Sequence, residues 1–198
     1  MNMNKIDYKY EVYRKLLHLS SLWIIFVIYF LDKKISLVIF LFLSISILLI
    51  EVSRNYFSPI SKIYKFIFGK ILRTYEVKDS FSGAFYIFLA SLLVTLLFPK
   101  IVAITSLAVM LISDSFAALI GKKFGSYIIY NKSIEGSLAF FLSAILIISF
   151  FFDPKIYYFS IVVTAFLATV IELFSSKIKI DDNLTITITT ACSLITLT

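Results

Sequence analysis

The chain has 198 residues, of which 60% are hydrophobic and only 16% charged, and its formal net charge is +7. That composition excludes a water-soluble domain, because several apolar runs approach the roughly 20 residues that cross a bilayer core as a helix. A single cysteine, Cys192, excludes an internal disulfide, and in a membrane protein the basic excess marks cytoplasmic loops and contact with anionic lipid rather than nucleic acid.

The patterning predicts an all-α, polytopic membrane helix bundle in one embedded domain, 1–198, with about seven spans. In chain order they are Leu16–Leu31, Ile35–Glu51, Phe81–Phe98, Ile101–Ile120, Ile134–Phe152, Tyr157–Ser175 and Leu184–Thr198. The first follows Arg14 and Lys15, as a signal peptide would, but no small-residue cleavage pattern comes after it, so it reads as a retained span. Between the second and third spans lies the longest loop, Val52 to Ser80. There Ser58 is a candidate N-cap and Pro59 a first helical residue, and lysines and isoleucines fall on separate faces of an interfacial helix. The seventh run, "LTITITTACSLITLT", alternates Thr with Ile or Leu as a strand would. A lone strand leaves its backbone unsatisfied in lipid, so a helix is expected.

Lysine and arginine fix the expected orientation. With the N-terminus inside, 15 of the 19 fall on inside segments and four, Lys33, Lys34, Lys100 and Lys155, on outside turns. The same topology brings Glu11, Glu51, Glu76, Asp79, Asp114, Glu135, Glu172, Asp181 and Asp182 to the inside ends of the spans. The positive-inside rule does not ask for carboxylates there, so they need a second explanation.

Asp114 lies within the fourth span, six residues before its end, at a depth of about 9 Å. A carboxylate there must face protein, an ion or a wet cavity, and Ala118 and Gly121 share its helical face. An interhelical hydrogen bond is the competing reading. Beyond it come Gly121, Lys122, Lys123 and Gly125, then Lys132 and Ser133 before "IEGS". Glycines allow close backbone approach, lysines offer point charges to phosphate, a helix start binds anions, and carboxylates hold a divalent cation that bridges phosphates. Together they point to a nucleotide phosphate site, against the alternative of a lysine-rich loop with turn glycines. No GxxxxGK[ST] loop is present. In the first helix Glu11, Arg14, Lys15 and His18 share a face. His18, the only histidine, is either a proton acceptor or part of an ion-paired helix end. Glu172 lies one turn before the end of the sixth span. Asp182 either caps the last helix or contacts metal or nucleotide.

Five stretches, "EVYRKLLH", "RTYEVKDSFSGAFY", "SDSFAALIGKKFG", "KSIEGSLAFF" and "ELFSSKIKIDDNLTI", occur in an order that resembles the CTP-dependent polyprenol, phytol and diacylglycerol kinases, the group that includes dolichol kinase. The resemblance spans Glu11 to Ile186. It implies transfer of the γ-phosphate of CTP to a lipid alcohol, with Mg²⁺, at the cytoplasmic face of the cell membrane. It points to Arg14, Lys15, His18, Arg73, Glu76, Asp114, Gly121, Gly125, Lys132, Glu135, Gly136, Ser137, Asp182 and Asn183. In the roles this suggests, Asp114 with Asp182 or Glu135 holds the metal. Lys132 and the amides around Glu135 to Ser137 bind phosphates, with Arg14, Lys15, Arg73, Lys122, Ser133 and Asn183 near the nucleotide, and His18 or a carboxylate accepts the alcohol proton. Glu76 and Glu172 complete the acidic set. The family commonly has proline where Thr187 stands, which bears on where the last helix starts. The nearest rival, a phosphatidate cytidylyltransferase, carries a histidine-bearing C-terminal signature that is absent here. A small transporter would spread carboxylates through the membrane depth.

Overall fold

The computed structural model describes residues 7–69, 81–178 and 180–198. It is an all-α bundle of membrane-spanning helices. The first crossing, Tyr8–Phe30, is broken into α1 (Tyr8–Ser20) and α2 (Trp23–Phe30). The break falls at the Ser20–Ser21 pair, where Ser21 N–H and Leu22 N–H bond the carbonyls of His18 and Leu19 at 3.1 and 3.0 Å, the tightened i, i+3 pattern of a 3₁₀ turn.

Next come α3 (Lys33–Tyr56), α4 (Ser58–Phe68) and α5 (Gly83–Leu97). Ser58 is already helical, so it does not cap α4 from outside. The crossing Lys100–Phe124 consists of α6 (Lys100–Ala108), a π-helical turn (Val109–Ser113) and α7 (Asp114–Phe124). A small hairpin, β1 (Ile128–Ile129) and β2 (Lys132–Ser133), leads to α8 (Ile134–Phe151). The chain ends in α9 (Pro154–Ile178), kinked at Tyr157, and α10 (Asp182–Leu197).

All seven expected spans are helices, the Thr-rich last one included. Among the described residues, five helical stretches are long and apolar enough to cross a membrane. Helices α5 and α10, with 15 and 16 residues, reach only about 22–24 Å at 1.5 Å per residue. Helix α10 begins at Asp182, with Asp181 as its N-cap: the Asp181 carboxylate accepts from Asn183 N–H at 3.0 Å. Asp182 is thereby released from the capping role the sequence offered it. Thr187 sits inside this helix and donates its hydroxyl to Asn183 O at 2.6 Å, so the missing proline leaves the helix start intact.

Lys100–Phe124 is the central rod. Of its most apolar window 78% is buried, against 17–33% for the other four long crossings. Ala103, Ser106 and Ala108 let neighbouring backbones approach, and Leu107, Met110 and Leu111 fill the space between them. Small buried residues do the same on α8 and α9, at Ala144, Ala165 and Ala168. The rim carries exposed Phe26, Phe42, Phe150 and Phe166, an outward apolar surface that suits lipid and not water.

Candidate active site

The polar interior is concentrated where α1, α7, α8, α9 and α10 meet at one end of the bundle. Helical periodicity turns Glu11 and Lys15 of α1 inward. The Lys15 ammonium, 2% exposed, is hydrogen-bonded to Asp114 Oδ2, and Asp114 is 3% exposed. His18 Nε2 lies 3.7 Å from the same carboxylate oxygen and 3.5 Å from Met110 O, a carbonyl of the π-turn. On the side of this pair, Arg14 and Glu11 are ion-paired, and Lys122 Nζ approaches Glu11 Oε2 at 4.0 Å.

A second group adjoins the first. Lys132 Nζ donates to Glu172 Oε1 at 2.6 Å and to Asp182 Oδ2 at 3.4 Å. Ser137 Oγ donates to the other oxygen of Glu172 at 3.1 Å. Burial alone would lower the Lys132 pKa. Glu172, Asp182 and Asp114 more than offset it and hold the ammonium well above the ordinary lysine range. Asp114 is therefore within Coulomb range of both lysines, and the two groups form one charged site with carboxylates from three helices.

The glycines do something else. A Cβ on Gly121 would stand 2.6 Å from Ser133 Oγ, one on Gly125 2.2 Å from Gly121 O, and one on Gly136 2.7 Å from Ala117 O. Gly121, Gly125, Ser133 and Gly136 thus form a seam in which α7 and α8 touch backbone to backbone, with Ala117, and not the expected Ala118, on the seam. The amides at the start of α8 are engaged as well. Ser133 Oγ accepts from Gly136 N–H at 3.0 Å, and Ile134 N–H bonds Tyr127 O at 3.0 Å. The Glu135 carboxylate turns to the hairpin, accepting from the amides of Ser126 (2.8 Å) and Tyr127 (3.4 Å), so it does not join Asp114 and Asp182. Asn183 points its amide at Gly83 O, 3.5 Å away. Arg73 and Glu76 lie outside the described residues.

The sequence pattern undervalued Glu172, which is the hub of the second group; its place on a small-residue face one turn from a helix end was the available signal. It also passed over a separate buried cluster. Glu51 Oε1 accepts from Tyr64 OH at 3.1 Å and from Ser82 N–H at 3.2 Å, and Arg54 pairs with Glu51 Oε2 at 2.7 Å while lying 4.6 Å over the Tyr64 ring. This cluster ties α4 and the start of α5 to the end of α3.

Fold and site define a multi-pass integral membrane protein with a buried constellation of lysines and carboxylates at one end. Comparison with known proteins narrows this. The chain is 36% identical over 191 residues to an uncharacterized protein of Rickettsia prowazekii (strain Madrid E), covering 93% of each. It is 31% identical over 177 residues to an uncharacterized protein of Methanocaldococcus jannaschii, covering 88% of this chain and 87% of that protein. The chain belongs to the family these two proteins share. It is also 29% identical over 98 residues to CTP-dependent diacylglycerol kinase 1 of Schizosaccharomyces pombe, covering 48% of this chain and 44% of that protein. No protein-family model matches the chain, and no solved structure matches it.

Proposed function

We propose that the chain is a CTP-dependent lipid kinase that phosphorylates the hydroxyl of a lipid alcohol (a polyprenol, phytol or diacylglycerol) at the cytoplasmic face of a membrane. The observation that carries this reading is the pairing of Lys15 with Asp114 and of Lys132 with Glu172 and Asp182, buried at the ends of membrane-spanning helices. The similarity to a CTP-dependent diacylglycerol kinase over about half of the chain supports it. Phosphoryl transfer asks mainly for positioning and charge neutralisation, and lysines opposed to carboxylates supply both without a nucleophilic side chain.

In this reading Lys15 and Lys132 exchange their carboxylates for phosphate oxygens when nucleotide enters. The lipid hydroxyl oxygen bonds to the γ-phosphorus, the bond from that phosphorus to the β–γ bridging oxygen breaks, and CDP leaves. His18 Nε2, already beside Asp114, takes the alcohol proton. Among the described residues no three His, Cys, Asp or Glu side chains form a metal cage. Mg²⁺ that arrives with nucleotide needs only one or two carboxylates besides the phosphates, and the oxygen donors of Asp114 and Asp182 fit that demand. Bound there, Mg²⁺ would neutralise charge on the transferred phosphoryl group.

The test is where the label goes. The purified protein is given a panel of lipid alcohols with γ-labelled CTP and, separately, α-labelled CTP, and lipids are extracted. Label in lipid from the first alone is expected. Label from the second alone would replace the kinase by a cytidylyltransferase, and label from neither with any alcohol would leave a non-enzymatic membrane protein.

A further inference from the structure

The hairpin between α7 and α8 carries an apolar tip, Tyr127 and Ile128, that stands exposed among the described residues. Tyr127 and Ile128 are each 72% exposed, and Phe124 at the end of α7 is 61% exposed. The hairpin is nonetheless a built element. Ile129 pairs with Lys132 and Ile128 with Ser133. The two turn residues, Tyr130 and Asn131, both have positive φ, 47° and 70°, the backbone of a type I′ turn. A tyrosine there is unusual, and its ring is held against Phe174, with centroids 5.4 Å apart.

Position and charge identify what covers the tip. The connection 125–133 joins the ends of two crossings, Lys100–Phe124 and Ile134–Phe151. Four residues of strand and turn extend at most about 14 Å, so the tip stays within or just beyond the headgroup layer, which is roughly 5–8 Å deep on each side. The hydrocarbon core is excluded, because a two-stranded ribbon has open backbone edges. Lysines rim the patch: Lys123 Nζ lies 5.1 Å from the Phe124 ring centre and Lys177 Nζ 5.3 Å from that of Tyr130. The one carboxylate on the hairpin's base, Glu135, is turned to the amides of Ser126 and Tyr127. Aromatic and branched apolar side chains ringed by lysine match an anionic lipid interface.

We infer that the Tyr127–Tyr130 tip is seated in the headgroup layer of the same membrane and that its lysine rim selects anionic lipid. Because Ile129 pairs with Lys132, this contact holds the strand from which Lys132 reaches Glu172 and Asp182. The inference concerns lipid contact and stands whether or not the chain is a kinase.

The experiment uses the full chain in nanodiscs, with the one native tryptophan removed by Trp23→Phe and a reporter introduced by Ile128→Trp or, separately, Tyr127→Trp. The bilayers are phosphatidylcholine alone or mixed with phosphatidylglycerol, with and without lipid brominated near the carbonyl end of its chains. The expected result is blue-shifted emission quenched by brominated lipid and shielded from acrylamide, more strongly with phosphatidylglycerol. Lys123→Gln with Lys177→Gln should abolish that extra quenching. Emission that is red-shifted, unquenched by bromine and open to acrylamide in both reporters would overturn the proposal. So would shielding that appears only when two copies share a disc, which would assign the patch to self-association.

Discussion

The two ends of the bundle use the same residue type for different purposes. At one end Lys33 Nζ donates to Leu96 O at 2.9 Å and Lys100 Nζ to Tyr29 O at 2.6 Å. Each lysine, exposed, closes the last carbonyls of a neighbouring helix, where a helix C-terminus favours positive charge. At the other end Lys15 and Lys132 are drawn inward against Asp114, Glu172 and Asp182. Finishing a helix needs a cation and a carbonyl, and the surrounding water does the rest. Burying carboxylates and ammonium groups together carries a desolvation cost that well-packed apolar residues would avoid. A protein that only needed to stand in the membrane could have two ends of the first kind.

That contrast can be broken most sharply at Asp114. Asp114→Asn should reduce lipid phosphorylation by about 100-fold or more, the scale of losing a charge-stabilising group at a reacting centre. It should also destabilise the protein by about 3–5 kcal/mol, because Lys15 stays buried without its partner. The double variant Lys15→Met with Asp114→Leu separates the two effects: thermal unfolding in detergent should recover to near wild type while activity stays absent. Recovery of both would make the pair a structural feature only.

Lys132→Ala and Glu172→Gln come next, with expected losses of roughly 100-fold in turnover, the lower end of the range for one positioned catalytic contact. Lys122→Ala should be milder. Because the folded-state pKa of Lys132 is raised, the stability from its ion pairs is fully present below about pH 10.4, the ordinary lysine value. It is lost only as pH rises through the higher folded-state value. The difference in melting temperature between wild type and Lys132→Gln should therefore be flat from pH 6 to 9 and close above that alkaline limit.

A glycine substitution sharpens the boundary between chemistry and packing. Gly125→Ala puts a methyl 2.2 Å from Gly121 O and should cost about 1–3 kcal/mol by overpacking. A nucleotide Kd change without any change in melting temperature would return Gly125 to a ligand role. The smallest effects belong to the plain end. Lys33→Gln and Lys100→Gln should stay within about 0.5 kcal/mol of wild type and leave activity unchanged. Cysteines at these positions should react with an impermeant reagent from the face opposite one placed at Lys123; labelling all three from one face would refute the crossing pattern.

Much of this was legible because it depends on local pattern. The five long crossings and the two shorter helices α5 and α10 follow from apolar runs, and the inward face of α1 from the spacing of Glu11, Arg14, Lys15 and His18. Asp114 stood out because a carboxylate inside an apolar run has few innocent explanations. What the pattern did not carry are contacts between segments distant in sequence. Glycines 121, 125 and 136 read equally as phosphate-cradling or as packing, and only the approach of α7 to α8 separates the two. The same holds for Glu135, which shares a helix start with Ser137 but serves the hairpin. The hairpin itself is two residues per strand and has no alternation long enough to register. Its turn uses tyrosine where glycine or asparagine would have signalled it. Glu51 stands out in the sequence only as one of the inside carboxylates, and its partners Tyr64 and Ser82 come from segments 13 and 31 residues away.

The π-turn at Val109–Ser113 gives the central rod two registers. Upstream of it, the helical phase is set by the apolar positions Val102, Ala103, Leu107 and Ala108 that fill the core. Downstream, the phase presents Asp114 to Lys15, and Ala117 and Gly121 to α8. Each residue of an α-helix turns the next by about 100°. Running the same residues as a single unbroken α-helix, without the wide π-turn, would leave the upstream packing intact and swing Asp114 by roughly that angle. The hydropathy of the segment would not change, nor would its insertion into a membrane, yet the carboxylate would face a different neighbour. The wide turn behaves as a phase setting, and closing it to α geometry without removing a residue would separate the site from its scaffold as surely as losing Asp114 itself.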